Sequence, residues 1–236
     1  MGDYTNMSGY YDLIMTSGYY DYKKIVDGLL VHGPVRDVLE IGCGTGLILE
    51  ELAKRQHNIS ITGIDLTQAM LDIAHQRLQT FKSVQLQQQN LTQLSLNQKF
   101  DFSFSYGGVW YFVIDGDKEP FLVSHISDHE ANVAGFAKLA NHMSDDSKLL
   151  LGIQGPHFDY AKPISNGMVY SQKIEPNGHG FIKHYYLDDG DKRLMSQTID
   201  YRTYSFKEAC DMLGVHGFEY QYKPAPDRQF LVFQKK

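Results

Sequence analysis

Three alternating glycines, Gly42, Gly44 and Gly46, follow directly on the apolar run Val38-Leu39-Glu40-Ile41, and Asp65 closes the next apolar run 19 residues after Gly46. Glycines in such a turn let the backbone reverse tightly and let a ligand approach where a Cβ would stand. The N–H groups at the start of the following helix attract anionic or electron-rich groups. An acidic residue about 20 positions further on, at the end of the next strand, can accept both hydroxyls of a ribose. The chemistry predicted from these residues is the holding of a nucleoside-bearing molecule. Glu40, Cys43 and Leu66 flank the same two segments. The Gly-x-Gly-x-Gly spacing differs from the G-x-G-x-x-G of nicotinamide dinucleotide sites.

Those residues need a scaffold of strands and helices, and the hydrophobic periodicity supplies one. Helices are predicted over 20–30, 47–55, 67–78 and 129–142, where apolar residues recur at helical spacing. Short apolar runs at 37–41, 59–64, 84–88, 100–105 and 149–153 read as buried strands. Residues 113–128 read as a loop holding Asp115-Gly116-Asp117 and Pro120, and Ser144-Asp145-Asp146 as a turn. Strands alternating with helices predict a parallel sheet with right-handed crossovers. After Gly155-Pro156 the rhythm changes to period-two alternation over 168–174, 180–187 and 193–204, separated by hairpin turns at Pro176-Asn177-Gly178 and Asp188 to Asp191. A helix over 205–213 follows, opened by the capping box of Ser205 and Glu208, and strands at 218–222 and 230–233 close the chain.

The fold expected is therefore α/β and Rossmann-like: a mostly parallel seven-stranded sheet with flanking helices and a late antiparallel three-stranded insertion. One domain over 1–236 is expected, with residues 1–30 as a lid-like segment and 156–204 as a wall on the substrate side. The chain has 236 residues, a net charge of -6 and 21% charged residues, so no basic face is offered to nucleic acid or an anionic membrane. No apolar run reaches the roughly 20 residues of a membrane span, and the polar start has no signal-peptide core. The two cysteines, Cys43 and Cys210, are far apart and lack metal-ligand spacing, which fits a reduced cytoplasmic setting. A homodimer is compatible with all of this.

The pattern Glu40-x-Gly42-x-Gly44-x-Gly46 resembles motif I, (D/E)xGxGxG, of the class I S-adenosylmethionine-dependent methyltransferases. The resemblance continues in order along the chain. Gly63-Ile64-Asp65-Leu66-Thr67-x-x-Met70-Leu71-x-x-Ala74 resembles the second motif, whose acid holds the ribose diol and whose next residue packs on adenine. Gln89-Asn90-Leu91 stands where the family often has Gly-Asp, with Asn90 in place of the carboxylate that binds the adenine amino group. Phe100-Asp101 to Tyr106 resembles the fourth-strand motif, placing Ser105 toward the methyl donor. The resemblance implies S-adenosyl-L-methionine as cofactor, held by Gly42, Cys43, Gly44, Asp65, Leu66, Met70, Asn90, Leu91 and Ser105 together with Glu40.

The tyrosine-rich start (Tyr11-Asp12, Tyr19-Tyr20-Asp21-Tyr22) and the insertion resemble small-molecule N-methyltransferases that act on nucleotide-linked amino sugars, and more distantly glycine N-methyltransferase. This implies donor contacts from Tyr11 and Tyr22, and a small-molecule acceptor, nitrogen before oxygen. His157, after the fifth strand of the parallel sheet, is the leading candidate base, ahead of His179 and His184; Tyr106 and Tyr111 are candidates to orient the acceptor. The rings of Trp110, Phe112, Phe158 and Tyr160 stand near the expected site in sequence, and Trp110 with its neighbours reads equally well as cover for the core. His125, Asp128 and His129 have the types of metal ligands, but solvated polar residues are the expected reading and no metal is predicted. An oxygen acceptor, a donor-binding cyclase that transfers no methyl group and a non-catalytic subunit share the same donor motifs. Base methylation of nucleic acid is disfavoured, since Ser105-Tyr106-Gly107-Gly108 replaces the (D/N)PP(Y/F/W) tetrapeptide.

Overall fold

In the computed structural model, which describes residues 4–221 and 229–236, the predicted parallel sheet is present. Its strands are β1 (Asp37–Ile41), β2 (Ser60–Asp65), β3 (Val84–Gln88), β4 (Phe100–Ser105) and β7 (Met143–Gln154). They lie in the order β3-β2-β1-β4-β7, all parallel. The last strand, β13 (Phe230–Lys235), runs antiparallel on β7 from Lys148 to Gly152, and β12 (Phe218–Tyr220) pairs with β13 to complete seven. Tyr222, placed in that strand from the sequence, lies outside the described residues.

Alternation along these strands divides the core into two layers, as a sheet covered on both faces requires. Val38, Ile61, Phe102, Phe104 and Leu150 face α2 (Tyr22–Leu30), α3 (Leu47–Arg55) and α4 (Gln68–Leu78). Leu39, Ile41, Ile64, Leu149 and Leu151 face α5 (His129–Asn141) and α6 (Phe206–Val215). Three of the helix starts, those of α2, α5 and α6, carry a side-chain cap. Asp21 accepts the N–H of Lys24, Asp128 accepts that of Ala131, and Ser205 with Glu208 forms the predicted capping box.

Three expectations are corrected. Residues 113–128 are not one loop, because β5 (Trp110–Val113) and β6 (Phe121–Ser124) form a hairpin whose turn alone holds the Asp-Gly-Asp and the proline. The 144–146 segment lies inside β7, where Asp146 adopts a left-handed φ of 61° and the register against β4 shifts. The insertion has a fourth strand, β8 (Tyr160–Pro163), on β9 (Val169–Pro176), beside β10 (Gly180–Asp189) and β11 (Lys192–Ser205). This insertion is continuous with the main sheet: β11 pairs with β6, β6 with β5, and β5 with the last two residues of β7. The polar start, moreover, is structured. A 3-10 turn at Thr5–Met7 and α1 (Ser8–Thr16) pack Met7, Ile14 and Met15 against Tyr170, Tyr185 and Ile199 of the insertion. Among the described residues no helix is long and apolar enough to cross a membrane.

Strand β5 shows why the hairpin matters. Trp110 and Phe112 point into the core, while Tyr111 and Val113 point the other way, toward the insertion. The Trp110 ring is fully buried, stacks on Phe136 at 3.8 Å between centroids, and donates its indole N–H to Asn132 Oδ1 at 2.8 Å. Trp110→Ala is expected to lower stability by about 3–5 kcal/mol through the cavity it leaves and the lost hydrogen bond to Asn132. Urea denaturation monitored by far-UV circular dichroism measures this, and a loss below about 1 kcal/mol would place Trp110 outside the core.

Candidate active site

The C-terminal ends of β1, β2 and β4 open into a cleft of about 940 Å³, mouth included, at the place where open α/β sheets bind ligands. Its floor is the glycine turn. Gly42, Gly44 and Gly46 have φ values of 74°, 54° and 80°, a left-handed run that side chains disfavour. The N–H groups of Gly42 and Cys43 both donate to Ile64 O, at 2.8 and 2.9 Å, tying the turn to the end of β2. Gly108 approaches so closely that a Cβ there would stand 2.6 Å from Ile41 O, so the loop after β4 forms the adjoining wall only with glycine.

Asp65 joins these parts. Its Oδ2 accepts the N–H of Gly44 and its Oδ1 that of Thr67, each at 2.8 Å. A carboxylate offers about four lone-pair directions, so two remain for hydroxyls of a ligand. Burial raises the Asp65 pKa, opposed by these backbone hydrogen bonds. Leu66, Met70 and Leu91 line the cleft beside it, with Gln89. Asn90 does not line it, because its Oδ1 caps the 3-10 turn at Leu91–Gln93 by accepting from the N–H and hydroxyl of Thr92.

Several expected residues lie behind the surface. Glu40 is buried beneath the turn with Oε2 unpartnered, and burial together with Asp65 pushes its carboxyl well above the ordinary range. Cys43 presents its backbone to the turn and its thiol to the interior, where a Cβ on Gly63 would be 3.0 Å from Sγ. Ser105 is fully buried and accepts the N–H of Trp110. Tyr22 opens α2 and packs edge-on to Tyr20 at 6.1 Å, outside the cleft lining.

The N-terminal segment covers the cleft. Tyr4, Met7, Tyr11 and Met15 line it, with Tyr19 and Tyr20 at the end of the segment. Asp12 holds α1 to the glycine turn, accepting the Thr45 hydroxyl at 2.6 Å and pairing with Arg77, which also donates to Thr45 O and Glu50. Tyr4 reaches across the cleft. Its N–H donates to Thr67 Oγ1, and its hydroxyl lies 2.9 Å from that of Tyr201 and 3.4 Å from His125 Nδ1. Tyr185 continues the hydroxyl chain, 2.7 Å from Tyr201. Burial raises the pKa of each of these tyrosines, so all three stay protonated near neutral pH.

The far wall comes from the insertion and the β5–β6 hairpin. Tyr111, His125, Tyr170, Lys183, Tyr185 and Tyr201 line it. His125, expected to be solvated, is instead buried, since β6 delivers it into the cleft, and desolvation pushes its pKa down to about 3. Asp128 caps α5 and His129 bonds the Tyr204 hydroxyl, so the three do not converge. His157 lies in a second, open groove beside the cleft, with Tyr106, Gln154 and Tyr160. Gln154 links the two spaces, donating from Nε2 to the Tyr20 hydroxyl at 2.8 Å while Oε1 lies 3.2 Å from His157 Nε2. That arrangement assigns the His157 proton to Nε2 and leaves Nδ1 as a lone pair without a partner. Desolvation also pushes His157 down to about 3, so the ring is neutral and a weak proton acceptor. Tyr106 donates its hydroxyl to Gln229. His179 pairs with Asp200, and His184 lies near Thr198 and Glu175; neither lines the cleft.

Sequence reasoning missed Tyr4, His125, Gln154, Lys183 and Tyr201. Lys183 carried a signal: Phe181, Lys183, Tyr185 and Leu187 occupy one face of β10, so a lysine stands in an otherwise apolar register.

Residues 38–126 match the family model described as a methyltransferase domain. The malonyl-[acyl-carrier protein] O-methyltransferase of Bacillus cereus is 35% identical over 68 residues, 29% of this chain and 25% of that protein, so the chain spans about a quarter of that relative. Solved structures match over nearly the full length. An amino pentose methyltransferase from Micromonospora echinaspora, solved with S-adenosylmethionine bound, superposes with a TM-score of 0.68 at 16% identity, covering 96% of both chains. A sugar N-methyltransferase from Streptoalloteichus has a TM-score of 0.64 at 15% identity, covering 96% of this chain and 92% of that one. At such identities the superpositions establish the fold. Residues 38–126 thus match a methyltransferase domain, and the chain as a whole has the fold of S-adenosylmethionine-dependent methyltransferases.

Proposed function

We propose that this protein transfers the methyl group of S-adenosylmethionine to an amine nitrogen of a small-molecule acceptor by direct in-line displacement. The observation that carries this reading is a single cleft with a nucleoside-holding floor at one end and an aromatic, hydroxyl-lined wall at the other. Asp65 accepts the ribose hydroxyls on its free lone pairs, and Leu66, Met70 and Leu91 take the adenine ring. Tyr11 and Tyr20 cover the amino-acid end, with Tyr22 setting the position of Tyr20. The sulfonium is already activated, so alignment and exclusion of water supply most of the catalysis. Tyrosine faces suit a cationic sulfonium.

An amine must shed a proton to offer its lone pair. Tyr111 faces the cleft and orients the acceptor. His157, held by Gln154, lines the adjoining groove, and Tyr106 shapes that groove, through which the acceptor enters. The names of the amino pentose and sugar N-methyltransferases favour nitrogen. A second reading, an oxygen acceptor, is favoured by the O-methyltransferase relatives, which match this chain over its donor-binding part. Incubation with methyl-labelled S-adenosylmethionine and a panel of amines and hydroxylated compounds tests both. Label is expected in an N-methylated product, with one S-adenosylhomocysteine formed per turnover. Product without label and with the cofactor intact would assign the cleft to cyclisation instead.

Asp65→Ala is expected to weaken S-adenosylmethionine binding by about 10- to 150-fold, the worth of one charge-assisted hydrogen bond of about 1.5–3 kcal/mol. Isothermal titration calorimetry reads this directly, and a change under threefold would remove Asp65 from the donor site.

The histidines give a pH prediction of definite sign. Their folded pKa values, near 3, lie below the ordinary 6.5, so the stability they allow is complete above pH 6.5 and is lost as pH falls toward 3. Between pH 5 and 8 both rings stay neutral. His157→Gln is therefore expected to leave the shape of the pH–rate profile over that range unchanged. Disappearance of an acid limb near pH 6.5 in this variant would show that His157 titrates during turnover.

A further inference from the structure

Lys183 is the one cation lining the cleft among the described residues, and none of them gives it a counter-charge. Its side chain is 2% exposed. Its Nζ lies 5.6 Å from the ring centroids of Phe181 and Tyr201 and 6.0 Å from that of Tyr185. No described carboxylate stands within ion-pair distance of it, although twelve such contacts occur among the other described residues. The neighbouring imidazoles, His125 and His157, are neutral. Asp65, the only described carboxylate in the lining, is engaged with the glycine turn at the donor end.

A buried ammonium without a partner is costly, and three ring faces offset only part of that cost. A methionine of similar length would pack in the same space without the penalty. Charge bookkeeping makes the gap sharper. S-adenosylmethionine brings a sulfonium, an ammonium and a carboxylate, a net charge of +1. With Lys183 protonated and Asp65 ionised, the loaded cleft still carries a net positive charge of one. A single anionic group on the second ligand closes that balance.

We propose that Lys183 anchors the methyl acceptor by pairing its ammonium with an anionic group, a carboxylate or a phosphate, that the acceptor carries away from the methylated atom. The inference rests on the methyl-transfer reading and narrows its substrate class from small molecules in general to amines bearing an acidic group. Tyr201 and Tyr185, with hydroxyls already joined in a chain to Tyr4, frame the same wall and hold the anion's other face away from water. Desolvation brings the Lys183 pKa down to about 7 in the empty cleft, and an anion seated beside it would draw the proton back.

The test uses the full chain saturated with S-adenosylhomocysteine and three probes of one shape: benzoate, phenyl phosphate and benzamide. Calorimetry is expected to show at least one anion binding tenfold or more tighter than neutral benzamide. That preference should vanish in Lys183→Met and in Lys183→Gln, and should return to within threefold in Lys183→Arg. Affinity for S-adenosylmethionine should stay within threefold in all of these variants. The relative affinities of the two anions tell carboxylate from phosphate. Equal binding of all three probes, absence of anion binding, or a preference that survives in Lys183→Met would overturn the proposal. A selective loss of S-adenosylmethionine affinity would overturn it too, by giving Lys183 to the donor's carboxylate. If anions bind through Lys183 but no amine is methylated, the proposed reaction fails while the anion site stands.

Discussion

The carboxylate of Asp65 takes the N–H of Gly44 on one oxygen and that of Thr67 on the other, and the geometry of the cleft follows from this contact. It fixes the glycine turn against the end of β2 and sets the start of α4, so two crossovers converge on one point. A turn with three successive left-handed glycines has little conformational preference of its own. Held by Asp65 and by the carbonyl of Ile64, it becomes a rigid floor that a ligand can approach with no Cβ in the way. The same turn then carries the lid, because Thr45 and Arg77 grip Asp12 of α1. The glycine turn and the N-terminal segment are thus one hydrogen-bonded unit.

From that unit the tyrosines extend to the opposite wall. Tyr4 links Thr67, His125 and Tyr201, spanning segments nearly two hundred residues apart in the chain. The water-poor space enclosed in this way accounts for the electrostatics of the site. Tyrosine hydroxyls are held in the neutral form, two histidines lose their basicity, and one lysine is brought near neutrality, all mainly through desolvation.

The donor half was legible in the sequence because each requirement there is local. A left-handed turn needs glycine, a buried strand needs an apolar run, and a ribose needs an acid at the strand end. Gly42, Gly44, Asp65, Leu66, Met70 and Leu91 all reach the cleft as expected. Asn90 and Tyr22 do not, since a capping hydrogen bond and a helix start claim them. The acceptor half depends on pairing between distant segments. The β5–β6 hairpin was hidden by its polar turn, although Trp110 to Val113 alternates between core and cleft. Its register decides that His125 is buried rather than solvated, and no local pattern records that register. Lys183 lay in the apolar phase of a strand, a visible signal whose meaning depended on knowing which cavity that face encloses.

The central claim is that the floor set by Asp65 holds the donor while the insertion wall faces the acceptor. A crystal structure with S-adenosylhomocysteine bound tests it most directly. The account predicts the ribose diol on the Asp65 carboxylate, adenine beside Leu66 and Met70, and the sulfur directed toward Tyr111 and the insertion. Density for the ligand in the outer groove of His157 and Phe158, or a ribose that leaves Asp65 untouched, would contradict it.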